Sequence, residues 1–109
     1  MRLGNWQMAV VDWDRLLEVP GRESIVNHAR HDGSLKDGEV VFIVSTYLKD
    51  ASTDSLRTLS SHWMDGNVMM AMVWVPSQSL YFTTPIKALH PICTEKDAIE
   101  MELKFGIKL

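Results

Sequence analysis

Cysteine is nearly absent from this chain: Cys93 is the only one among 109 residues. An internal disulfide is excluded, so the fold must be held by its own core, and a reducing, cytoplasmic compartment is expected. No apolar run approaches the roughly 20 residues that span a bilayer; the longest, Val68 to Val75, falls well short. The first residues, Met1-Arg2-Leu3-Gly4-Asn5-Trp6, lack the apolar core and small-residue cleavage site of a secretion signal. Basic runs are missing too, and the formal net charge is −3. A phosphate backbone needs clustered Lys and Arg, so nucleic acid is disfavoured as a partner.

Sequence motifs of the common enzyme classes are also missing. Neither G-x-x-x-x-G-K-[ST] nor G-x-G-x-x-G occurs, so no loop is set up to cradle phosphates. There is no G-x-S-x-G elbow and no H-E-x-x-H pair. No repeat or low-complexity linker divides the chain, and residues 1–109 read as one domain large enough to bury a real core.

Tryptophan and methionine stand out in what is present, with 4 and 7 residues. Both serve cores and adaptable binding surfaces. Asn5 to Val11 alternates Trp6, Met8 and Val10 on one parity, which predicts a strand. Asp12 sits where its carboxylate can cap a helix before Trp13, Leu16 and Leu17. Helical spacing resumes over 22–30 after Pro20-Gly21, giving one or two short helices near the N-terminus.

From Gly38 the texture turns to strands. Glu39 to Leu48 carries Val41, Ile43, Ser45 and Tyr47 on one parity and Val40, Phe42 and Val44 on the other. Val68 to Val75 predicts a buried central strand, and Ser79 to Thr84 a shorter one. Residues 55–64 have helical spacing at Leu56, Leu59 and Trp63 but precede Asp65-Gly66, a hairpin signal, and are read as a strand with a helix as the alternative. With Asp65 and Gly66 as the two turn residues, Leu59 lies opposite Met72 and Arg57 opposite Trp74, and a loop of another length shifts these pairs. At the C-terminus Ile99, Met101, Leu103, Phe105, Ile107 and Leu109 alternate with Glu100, Glu102, Lys104, Gly106 and Lys108. Period two predicts a strand of about 36 Å at roughly 3.3 Å per residue. Thr94 to Asp97 resembles a capping box that would support one helical turn before it.

These elements add up to an α+β fold. Five or six mostly antiparallel strands form a bent sheet or partly open barrel, with the short helices near the N-terminus covering it.

Chemistry-bearing residues are few. His28 and His31 lie three apart on an expected helix, and His90 and Cys93 three apart in a proline-bounded segment. Together they have the ligand types of a zinc set, though this spacing is unspecific. Cys93 could alternatively act as a nucleophile with His90 or His62 as base. Asp12, Asp14 and Glu18 cluster around Trp13, where capping and the helix dipole account for them.

The reading that results is a non-enzymatic binding module, without a cofactor, that acts as a homodimer on a small apolar ligand or a protein partner. Trp63, Met70, Met72 and Trp74 are the expected ligand contacts. Ile107 and Leu109, at the tip of the terminal strand, are the expected dimer contacts. The alternatives are a small enzyme or metal site built on His28, His31, His90 and Cys93, and a single-strand nucleic-acid binder that stacks bases on an aromatic sheet face.

Overall fold

The computed structural model describes residues 2–3, 6–17, 35–50 and 67–109. Its centre is an open antiparallel sheet. β1 (Arg2–Leu3), β2 (Trp6–Val11), β3 (Val40–Asp50), β4 (Asn67–Val75) and β5 (Leu80–Pro85) lie side by side in chain order. β6 (Leu89–Pro91) pairs with the later half of β2, on the edge whose earlier half β1 occupies. A short helix α1 (Asp14–Leu17) follows β2, and a longer one, α2 (Glu95–Phe105), follows β6.

β-branched and aromatic residues make these strands, as their spacing predicts. β2 ends in three consecutive residues, Ala9, Val10 and Val11, that have no exposed surface. Successive strand residues point to opposite faces, so both faces of β2 are covered. Ala9 and Val11 join Val41, Ala71, Val73 and Val75 in a first core, closed by Trp13, Leu16, Leu35, Ala88 and Leu89. Val10 joins Ile92, Ala98 and Met101 in a second core on the opposite face, with Met8 and Phe105 packed against it.

The end of β2 is fixed by polar contacts. Asp12 accepts the Asp14 N–H at 3.2 Å, the cap anticipated from sequence. Trp13 donates its indole N–H to the Leu35 carbonyl at 3.1 Å and its backbone N–H to Asp37 at 2.8 Å. Gly38 has φ +83, and a Cβ there would meet Phe105 Cβ at 3.1 Å, so the chain turns into β3 with α2 close against it.

Two sequence expectations are corrected. The alternating C-terminal segment is a helix, not a strand. Thr94 accepts the Asp97 N–H and Asp97 accepts the Thr94 N–H, so the capping box is complete. Gly106, at φ 65, ends the helix in the left-handed conformation. Ala98, Met101 and Phe105, at i, i+3 and i+7, turn toward β2, while Ile99 and Leu103 face outward. A dry strand face needs a surface to cover it, and the helix satisfies the same sequence by burying fewer side chains. Glu, Lys, Met and Leu are good helix formers, which favours that outcome.

Second, β3 does not keep one parity. A bulge between Ile43 and Ser45 sets Ile43 opposite Val73 but Ser45 opposite Met72. Val41 and Ile43 therefore face the first core, and Ser45 and Tyr47 the opposite side. Residues 55–64, with the pairing expected for Leu59 and Arg57, lie outside the described residues. β4 has β3 on one side and β5 on the other, with Met72 between Ser45 and Thr83 and Trp74 between Phe42 and Tyr81.

The helix makes a simple test. Leu103 is 81% exposed and Met101 only 2%, whereas a half-buried strand would place both on its dry face. In urea denaturation Met101→Ala should cost about 2–5 kcal/mol, and Leu103→Ser should stay within about 0.5 kcal/mol of wild type.

Candidate functional site

The second face of the sheet is divided in two. Over β2 it is covered by α2 and Ile92. Toward β5 it carries a row of cross-strand neighbours, Met8, Phe42, Trp74 and Tyr81, one from each of β2 to β5. Met70, Met72 and Trp74 follow one another along this face of β4, at i, i+2 and i+4.

The aromatic rings contact one another. Trp74 and Tyr81 have ring centroids 4.8 Å apart at a tilt of 55°. Trp6 meets Tyr81 edge-on, with centroids 6.4 Å apart and planes at 76°. Both geometries lie in the range favoured by the ring quadrupole. Strands neighbour one another at about 4.8 Å, so β2 and β5 would be about 14 Å apart on a flat sheet. The rings of Trp6 and Tyr81 therefore lean toward each other above β3 and β4. Trp6, Phe42, Met72 and Trp74 are half-buried, Met70 is buried, and Tyr81 is 54% exposed.

Of the ligand contacts expected from sequence, Met70, Met72 and Trp74 thus share a face, while Trp63 lies outside the described residues. Trp6 and Tyr81 were missed. Their strands were legible, but their meeting depends on the order of strands, which the sequence does not print. Ile107 and Leu109 are half-buried against their own second core, and the Leu109 N–H donates to Glu102 at 2.9 Å. With the long terminal strand gone, the reason for assigning them to a dimer contact goes with it.

Of the four expected zinc ligands, His90 and Cys93 fall among the described residues. His28, His31 and His62 lie outside the described residues. His90, on β6, turns to α2: its Nε2 is 3.5 Å from Asp97 Oδ1 and 3.8 Å from Glu100 Oε2. Cys93 is exposed. Its backbone N–H donates to Asp97, and its thiol stands outside the group formed by His90, Asp97 and Glu100.

Asp97 does two jobs. Its Oδ2 accepts the Cys93 and Thr94 N–H groups, each at 3.1 Å, and the Thr94 hydroxyl at 3.2 Å. These bonds favour the ionised form. They hold the carboxyl below its ordinary pKa, with the Cys93 N–H the largest cause and desolvation opposing it.

A second charged group closes the far end of α2. Lys104 Nζ lies 2.9 Å from Asp12 Oδ2 and 3.2 Å from Asp14 Oδ2. Burial pulls the ammonium down, but the hydrogen bonds and charges of the two aspartates more than reverse it, and the Lys104 pKa is raised. Asp12 is nearly inaccessible, so its charge relies on this partner. Asp12 and Asp14 are therefore occupied in structure, as the capping argument anticipated.

No family model, curated protein or solved structure matches this chain. Function rests on the geometry alone.

Two outcomes follow from the charged groups. Lys104→Met leaves the buried Asp12 unpaired and should destabilise the fold. Loss of a partner from a buried pair costs about 3–5 kcal/mol, and the part-exposure of Lys104 reduces that to about 1–3 kcal/mol in urea melts. Asp97 has a lowered folded pKa, so its stabilisation is complete above the unfolded value of about 4 and is lost as pH falls through the folded value. Asp97→Asn should flatten the loss of stability below about pH 4, measured by circular dichroism during acid titration.

Proposed function

We propose that this chain is a non-enzymatic binding module that works as a homodimer, joined edge to edge through β5, and holds a flat apolar ligand on the aromatic face beside that edge. The observation that carries this reading is the half-buried aromatic face, which no helix covers among the described residues and which runs out to an uncharged edge strand. Leu80 to Pro85 contains no charged residue, and β5 has no second neighbour strand among the described residues. Leu80 and Tyr81 are each 54% exposed. Edge strands of monomers are usually blunted by lysine, a bulge or an internal proline. β5 has only Pro85, at its end.

Antiparallel pairing of two β5 edges about a two-fold axis extends both sheets and keeps their faces on the same side. Tyr81 of each copy then flanks the seam, with Trp74 and Trp6 behind it. The contact between Trp6 and Tyr81 supports a strongly bent sheet, close to a partly open barrel within an α+β domain, and such a concave face suits a small apolar ligand. The lone cysteine supports a cytoplasmic setting. Single-strand nucleic acid fits less well. The rings pack on each other rather than standing free for bases, and the chain has no basic cluster in its sequence.

Sedimentation equilibrium at micromolar concentration should give a dimer for the wild type. Thr83→Lys, which places a charge on the edge, should give a monomer with unchanged far-ultraviolet circular dichroism. A wild-type monomer at the highest attainable concentration would remove the dimer. For the ligand face, the probe is a naphthalene dye: saturable binding should be weakened at least tenfold by Tyr81→Ala, and equal binding by the variant would remove the face from consideration.

A further inference from the structure

His90, Asp97 and Glu100 form a group separate from the aromatic face, and we infer that it is a binding site for a divalent transition-metal ion, zinc by ligand chemistry, clamping β6 to the first turns of α2. One ligand atom from each residue lies within 4.8 Å of the other two. In a tetrahedral zinc site, bonds of about 2.0–2.1 Å put neighbouring donor atoms about 3.3 Å apart. The two imidazole–carboxylate separations here, 3.5 and 3.8 Å, need only a small contraction. An imidazole nitrogen with two carboxylate oxygens suits zinc better than the all-oxygen shells of magnesium or calcium.

The three ligands differ in how firmly they are held. His90 sits on a paired strand opposite Val10, in a half-buried position. Asp97 is oriented by the cap bonds to its Oδ2, which leaves Oδ1 as the atom that faces His90. Supporting hydrogen bonds of this kind orient a metal ligand. Glu100 stands one turn along the same helix face, at i+3 from Asp97, and is the exposed, adjustable member. The resulting set of three protein ligands leaves a fourth position for water. Because imidazole binds metal in its neutral form, affinity should fall as the solution is acidified.

The test is titration of zinc chloride into the full chain after removal of metal by chelator, read by calorimetry and by thermal melting. One equivalent should bind to the wild type and raise its Tm. Glu100→Gln lies outside the capping bonds and outside both cores, so it should fold normally. It should weaken zinc at least tenfold and reduce the rise in Tm at the same zinc concentration. His90→Gln should do the same, and magnesium should give no rise. Absence of stoichiometric zinc binding overturns the site. Wild-type affinity in Glu100→Gln also overturns it, since the ion would then be held by other residues of the chain.

Discussion

Ala9, Val10 and Val11 are three consecutive strand residues without exposed surface, and this can be achieved only if both faces of β2 are covered. The rest of the arrangement follows from that requirement. One face is closed by α1, the Ile86–Ala88 turn and β6, which bring in Leu16, Ala88 and Leu89. The other must be closed by α2, which brings in Ala98 and Met101. Asp12, the next residue, is carried into the interior by the same burial and needs a counter-charge. Lys104 supplies it from the last turn of α2. The apolar requirement at Val10 and the charge requirement at Asp12 therefore fix the same helix at two points along its length.

A helix placed over β2 cannot also cover β4 and β5. The division of the second face into a sealed half and an aromatic half is a consequence of where α2 has to lie. Trp6, Trp74 and Tyr81 partly shield one another, and among the described residues no helix packs above their rings. The same placement brings the first turns of α2 against β6, and so sets Asp97 and Glu100 beside His90. Both candidate sites are by-products of how β2 is buried.

β2 to β5 were legible because Val, Ile, Phe and Tyr concentrate in them and because turns such as Pro76-Ser77-Gln78 separate them, whereas the short β1 and β6 were not. The cap at Asp12 was legible because an acidic residue stands before Leu16 and Leu17 at helical spacing. The C-terminal helix was misread because parity over 99–109 favoured a strand, and that argument credited burial to Ile99 and Leu103 without asking what would cover them. Thr94-x-x-Asp97 and Gly106 frame the helix in the sequence and were the better signal. The bulge in β3 left no mark that period two could detect. Ligand sets were least legible: His90 was grouped with Cys93 by spacing, whereas the fold turns it toward a helix that the sequence reading had made a strand.

The most direct measurement of this account is amide hydrogen exchange in the full chain as a function of urea. If β2 is the doubly covered axis, the amides of Ala9, Val10 and Val11 exchange in the slowest class and only through global unfolding, with the full urea dependence of the equilibrium transition. The β5 amides exchange faster or through smaller openings. Exchange of Ala9 to Val11 through local opening with weak urea dependence would contradict the account, because a strand sealed by two cores cannot open without losing both.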